Sequence, residues 1–349
     1  MSKIATADVA RRVAWRGTVA NPLTNYSGIL LMHGMARLAL ATEDEALLER
    51  TRGLMMPFVR GELEFNCNFL NYRCGGNGAA FLLWQGKLPE AAEPVRHYAD
   101  ELLHHAPRTP EGIFTRPANP EENWIWIDVA FAVTPFLLFA GLAFDEPAYI
   151  EEGFKQTSLM VNLFRDPENG LVHQSKNKVG PGVMTPDHWG RGNGWAMIAL
   201  AEMANYLPDD APQRPDAEKM FRDFLAACLN FQDENGMWHQ EITRHDSYAE
   251  TSGTGLILYG LGVALEKGLA PTEGRERFVK GLEGFLRYIA LDGSVHHTCR
   301  GCHAPGNGTI EDYMNHPHVL NDYHAFGPPV LAFGQAHRIG VAEVEAGGE

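Results

Sequence analysis

The chain has little positive charge: 29 lysines and arginines stand against 44 acidic residues, leaving a formal net charge of -15 over 349 residues. Without a positive field there is nothing to drive counterion release, which excludes nucleic acid and an anionic membrane surface as partners. Long apolar runs are also missing. Residues 1–22 alternate charge with small apolar side chains and hold no apolar core of signal-peptide length, and nowhere do about 18 apolar residues follow one another. These absences predict a cytoplasmic chain. Cysteine is sparse, and an odd set of five is no disulfide framework. Cys299-Arg300-Gly301-Cys302-His303 has the spacing of haem attachment, and Cys67 and Cys74 would complete a four-thiolate zinc set with Cys299 and Cys302. Haem attachment needs export, and the zinc set needs thiols brought together across most of the chain, so free thiols with no metal and no cofactor are expected.

What the chain does have is apolar residues at helical spacing, 45% of it being hydrophobic. The periodicity predicts twelve helices, over residues 5–15, 28–41, 43–59, 78–84, 91–104, 127–143, 147–164, 194–207, 217–231, 252–265, 275–289 and 326–339, and hardly a strand. Short breaks such as Thr42 to Asp44 and Asp145 to Pro147 join them in pairs, while long loops rich in Gly, Pro and His separate the pairs. Those loops repeat. Glu111-Gly112-Ile113-Phe114, Glu168-Asn169-Gly170-Leu171, Glu234-Asn235-Gly236-Met237 and Asp292-Gly293-Ser294-Val295 recur about sixty residues apart, and a fixed period marks a repeat architecture. Both terminal helices carry apolar residues at core spacing, which an open solenoid would have to cap. The expectation is therefore an all-α (α/α)6 barrel of six helical hairpins, a single domain over residues 1–349.

In such a barrel the long loops emerge at one end, where a rigid scaffold positions functional side chains. That end gathers Trp124, Trp126, Asp128, His173, His188, Trp189, Arg191, Asn193, Trp195, Trp238, His239, His296, His297 and Tyr313. Within Asp187-His188-Trp189-Gly190-Arg191-Gly192-Asn193-Gly194-Trp195 the glycines permit a tight turn at the mouth of a helix, Arg191 offers a fork for a carboxylate and the tryptophans offer stacking faces. Asp128 interrupts the apolar run Trp124 to Val133, where burial would raise its pKa and let it hold a proton near neutrality. It reads equally as a helix N-cap or a buried acid satisfied by backbone donors.

Several ordered blocks resemble one family. Trp126-Ile127-Asp128-Val129-Ala130-Phe131, Gly170-Leu171-Val172-His173, Trp189-Gly190-Arg191-Gly192-Asn193-Gly194-Trp195, Tyr248-Ala249-Glu250-Thr251-Ser252-Gly253-Thr254 and Asn321-Asp322-Tyr323-His324 are similar to blocks of the unsaturated rhamnogalacturonyl hydrolases, glycoside hydrolase family 105, related to the family 88 unsaturated glucuronyl hydrolases. The resemblance implies the same barrel, and a reaction that hydrates the C4=C5 bond of an unsaturated uronic acid at the non-reducing end of a lyase-generated oligosaccharide. By position it makes Asp128 the general acid and base. His173, Trp189 and Arg191 match substrate-contacting positions, with Trp126, His188, Asn193 and Trp195 on the same wall. One departure stands out: Asn71 falls where the family carries an aspartate, and an amide can orient a water but cannot act as a base. A sugar epimerase or isomerase on the same barrel is the alternative, using paired histidines such as His173, His239, His296 and His297. A non-catalytic oligosaccharide-binding protein would need only the tryptophans. The chain is expected to act as a monomer or homodimer.

Overall fold

The structure, a computed structural model, describes residues 2–63 and 69–346. Its helices are α1 (Thr6–Ala20), α2 (Tyr26–Ala41), α3 (Glu45–Val59), α4 (Gly76–Trp84), α5 (Ala92–His104), α6 (Asp128–Phe144), α7 (Pro147–Phe164), α8 (Gly190–Tyr206), α9 (Arg214–Leu229), α10 (Thr251–Lys267), α11 (Gly274–Leu286), the short α12 (Ile310–Met314) and α13 (Gly327–Arg338). Every helix predicted from periodicity is present; α12 is the addition. Helices α2, α4, α6, α8, α10 and α13 each pack on the next, and α13 packs on α2, so the inner layer closes into a ring. The other long helices lie outside it, with α1 against α13, completing the (α/α)6 barrel. Inner helices are buried nearly all round: in α10 every residue from Thr251 to Ala264 is buried. A helix without a polar stripe belongs inside, and the amphipathic outer helices supply the solvent face.

Six short strand segments escaped the periodicity reading because strands of two or three residues show none. The pair β1 (Lys3–Ala5) and β6 (Glu343–Glu345) is antiparallel and ties the two ends of the ring. The pairs β2 (Ile125–Trp126) with β3 (Ser175–Lys176), and β4 (Thr298–Cys299) with β5 (His318–Val319), stitch neighbouring loops at the mouth. The repeated loops are four hairpin turns of one design, each with its glycine in the left-handed region at φ 81–86° (Gly112, Gly170, Gly236, Gly293). Their glycine N–H groups close the turns onto Thr109, Asp166, Asp233 and Ala290 carbonyls.

The stretch Gly190 to Gly194 differs from its expected turn. It is the first turn of α8, and small residues serve a close helix crossing: a Cβ on Gly253 of α10 would come within 2.4 Å of the Gly190 backbone, and one on Gly190 within 2.6 Å of the His239 carbonyl oxygen. Helix α6 is broken differently. Pro135 lies inside it and has no N–H for the Phe131 carbonyl one turn back. Asn77 donates to that carbonyl at 2.9 Å, and Asn71 donates to the adjacent Ala132 carbonyl at 2.8 Å. One buried amide thus satisfies the carbonyl that Pro135 leaves bare, and a second braces the same turn of the helix that carries Asp128. Replacing Asn77 with Ala leaves a buried acceptor unmet and should cost about 1–3 kcal/mol in urea unfolding. Adding Pro135→Ala restores the missing donor and should recover part of the loss; no recovery would show that Asn77 acts by packing alone.

Candidate active site

All long connections lead from an outer helix to an inner one, so the inner helix N-termini meet at the looped end. There they enclose a cavity of about 580 Å3. Its apolar wall comprises Phe69, Tyr72, Trp126, Val129, Phe131, Ala132 and Trp195, and its polar groups are Asn25, Tyr26, Arg116, Asp128, Lys178 and His303. Aromatic faces with a few convergent polar groups suit a sugar ring. A larger cavity of about 750 Å3 opens at the opposite end beside Arg37 and Arg338. Those cations are already engaged, Arg37 with Glu202 at 3.0 Å and Arg338 with Glu266 at 2.8 Å, and the short connections there offer little to build with.

Asp128 is the one carboxylate on the mouth cavity's wall among the described residues. The Ile127 N–H, donating to the Gln174 carbonyl at 2.9 Å, and the β2–β3 pair fix the chain just before it. Its buried Oδ2 makes no hydrogen bond of ordinary geometry, and the Trp195 indole N–H beside it pulls only weakly on the carboxyl. Burial pushes the Asp128 carboxyl from 3.8 up to about 7, with the Arg191 cation opposing the shift and Asp187 adding to it. Trp195 is held by stacking on Phe131 at 4.9 Å and by an edge contact with Tyr26 at 6.3 Å. Tyr26 belongs to a chain of three: its hydroxyl bonds His324 Nε2, and His324 Nδ1 bonds Asp322. Burial lowers His324 to about 4, so the ring is neutral, donates to Asp322 and accepts the Tyr26 proton. Burial also holds the Tyr26 phenol well above its ordinary value. Its oxygen is therefore left as an acceptor for a ligand hydroxyl.

Of the residues singled out in the sequence, Asp128, Trp126 and Trp195 reach the cavity wall; the others stand behind it. Arg191, fully buried, does not meet the cavity with its guanidinium. It lies 4.5 Å over the Trp189 ring and donates to Ser252 Oγ at 3.1 Å and to the Cys299 carbonyl at 2.8 Å. Asn193 clips the 165–172 hairpin to α8 through the Val172 N–H and carbonyl. His188 is gripped by Asp166 at 2.8 Å and Glu241 at 3.3 Å; burial opposes its charge, but these acids raise its pKa overall. His173 Nδ1 contacts the Asp187 carbonyl at 2.9 Å, and Asn71 is the α6 brace described above. The remaining acids are spoken for as well. Asp187 accepts the Gln174 and Trp189 N–H groups, Glu250 caps α10, and Glu202 sits in a buried network with Arg37, His33 and Tyr259.

Arg116, Lys178, Tyr26 and His303 were missed. In a chain with so few cations, two on the loops flanking Trp124 and Trp126 are the signal that was there to find; Lys178 Nζ sits 3.9 Å over Trp124. Of the histidines that an isomerase would pair, none lines the cavity: His239 binds Asp233 and the Ser247 carbonyl, and His297 stacks on His318 at 4.2 Å. Cys74 is buried against the Asn71 carbonyl and Cys67 lies outside the described residues.

A single carboxyl in an aromatic cavity at the mouth of an (α/α)6 barrel is a site suited to acid–base chemistry on a sugar. The sequence matches the profile of Glycosyl Hydrolase Family 88 over residues 5–339, and the chain belongs to that family. It is 26% identical to an unsaturated rhamnogalacturonyl hydrolase, YesR, of Bacillus subtilis, over 68% of this chain and 70% of that one. It is also 26% identical to an unsaturated 3S-rhamnoglycuronyl hydrolase of Formosa agariphila, spanning about half the length of that relative: 54% of this chain and 52% of the other. Among solved structures, a family 105 glycoside hydrolase of C. acetobutylicum superposes with a TM-score of 0.82 at 21% identity, covering 94% of this chain and 98% of its own. No helix among the described residues is long and apolar enough to cross a membrane.

Asp128 gives a stability signature of its own. Its folded pKa of about 7 lies above the ordinary 3.8, so the folded state binds a proton more tightly than the unfolded one. The associated stability is complete below about pH 4 and drains away as pH rises through 7. Asp128→Asn removes this group, so its melting temperature relative to wild type should climb between pH 4 and pH 8. A constant difference across that range would mean the carboxyl is not perturbed.

Proposed function

We propose that this hydrolase removes a 4,5-unsaturated uronic acid from the non-reducing end of lyase-generated oligosaccharides by hydrating the C4=C5 bond. The observation that carries the reading is Asp128, poised near neutrality in an aromatic cavity with no second carboxylate on the wall among the described residues. Direct glycoside cleavage calls for two carboxylates flanking the bond. A vinyl ether needs one. Asp128, protonated, donates to C4, and positive charge develops at C5 and the ring oxygen. The carboxylate thus formed takes a proton from water as that water adds to C5, which regenerates the acid. The C5 hemiketal opens to a ketone, and the hemiacetal left at C1 releases the alcohol. One water is consumed and the double bond is lost.

The wall residues fit these demands. Arg116 and Lys178 supply positive charge for the uronate carboxylate, a role first expected of Arg191, which acts from behind the wall on the Asp128 pKa. Trp126 and Trp195 face the ring, and the Tyr26 oxygen accepts from a sugar hydroxyl. The names carried by the B. subtilis and F. agariphila relatives support the unsaturated uronide as substrate class.

Loss of the double bond's ultraviolet absorbance measures turnover. Asp128→Asn should lower it by about 10⁴-fold or more, since one group serves as acid and then base. In wild type, kcat/KM should fall as pH rises past about 7, where Asp128 loses its proton. Deuterated water should leave deuterium at C4 of the released keto acid, and saturated uronides should not react. Cleavage of saturated glycosides with solvent oxygen at the anomeric carbon would overturn the reading. Lys178→Ala or Arg116→Ala should lower kcat/KM about tenfold or more on the uronide and little on its carboxyl-reduced analogue. Equal losses on both substrates would make these residues structural.

A further inference from the structure

The Cys-x-x-Cys pair, expected as free thiols, is not isolated in the fold. β4 carries Cys299 beside β5, so that Cys299 lies opposite His318, and the Arg300 N–H donates to the Pro317 carbonyl. This ladder brings His316 onto the Cys-x-x-Cys turn, where its Nε2 lies 3.1 Å from both the Arg300 and Gly301 carbonyl oxygens. The two sulfurs and a His316 ring nitrogen all fall within 4.8 Å of one another, with both cysteines buried and His316 half-buried. In a tetrahedral zinc site neighbouring ligand atoms stand roughly 3.3–3.8 Å apart, so small side-chain rotations close the cluster on an ion. A second observation points the same way. Gln240 and Tyr248 both turn toward the Cys299 sulfur, and Gln240 Oε1 is buried with no hydrogen-bond partner. An oxygen left unmet beside a sulfur pair is what an inserted cation would satisfy.

We propose that Cys299, Cys302 and His316 bind one divalent zinc-class cation. Each thiol releases a proton on binding, so two thiolates balance the dication, and His316 binds as the neutral imidazole. Two sulfurs and one imidazole select zinc over magnesium or calcium. The ion clips the base of the 300–317 loop, which otherwise holds only α12 as regular structure. That loop carries His303 to the cavity wall, 5.9 Å from Trp126, so the clip fixes one side of the candidate active site.

The test uses the reduced full chain titrated with cobalt(II). One equivalent should produce sulfur-to-cobalt charge-transfer bands in the near ultraviolet, and zinc(II) should abolish them. His316→Ala should weaken cobalt binding by about 100-fold or more, and Cys302→Ser likewise. Cys74→Ser, remote from the cluster, should change nothing. Zinc should raise the melting temperature of wild type but not of either ligand variant. The proposal is overturned if wild type gives no thiolate bands, if both ligand variants bind as well as wild type, or if protein isolated without reductant carries a Cys299–Cys302 disulfide. None of these readouts depends on glycoside turnover.

Discussion

An inner helix of a closed ring has no solvent face. Each is surrounded by two ring neighbours and the outer layer, so a polar side chain along its length must find a partner or stay out, and free polar groups collect at its ends. The rest of the structure follows from that constraint. Along the inner helices the exceptions are matched: Glu202 gathers Arg37, His33 and Tyr259, and Asn77 meets the carbonyl that Pro135 leaves bare. At the N-terminal ends, where long loops arrive, Glu250 caps α10 and Asn25 caps α2. Asp128 stands at the same level of α6 with one oxygen unmatched. Unlike the matched acids, it stands on the cavity wall, where a ligand can reach it.

The framework also explains the second layer of the site. Arg191 donates to the backbone of the Cys299 strand and to Ser252, which links α8, α10 and the β4–β5 ladder behind the cavity. Asp187 and Glu241 hold the approach to α8, and two histidines close on hairpin-turn aspartates, His239 on Asp233 of its own turn and His188 on Asp166 from the following loop. These buried polar groups give the wall its rigidity, so that Trp126 and Trp195 meet a ligand without first being ordered.

Much of this was legible in the sequence because burial leaves a periodic trace. The helices, the closure and the hairpin glycines all follow from apolar spacing and from a left-handed turn that only glycine adopts cheaply. Asp128 could be singled out because a carboxylate is out of place in Trp124 to Val133. What was not legible is direction. Spacing says that Arg191, His173 and Asn71 come near the mouth, but not whether each faces the cavity or the packing behind it. Gly190 to Gly194 reads as a turn until α10 is seen crossing it. Tyr26 and His303 depend on contacts between residues far apart in the chain, as in the Tyr26–His324 bond and the Trp126–His303 ring contact, which no local pattern records.

The placement of charge carries one more consequence. The chain as a whole is strongly anionic, while the mouth offers Arg116, Lys178 and the converging N-termini of six inner helices. A polyuronide approaching from afar meets repulsion that accumulates with every carboxylate it bears, yet only its terminal sugar can collect the attraction, which is felt within about 10 Å in moderate salt. On the proposed function, this field pattern disfavours long polyuronides and admits short ones.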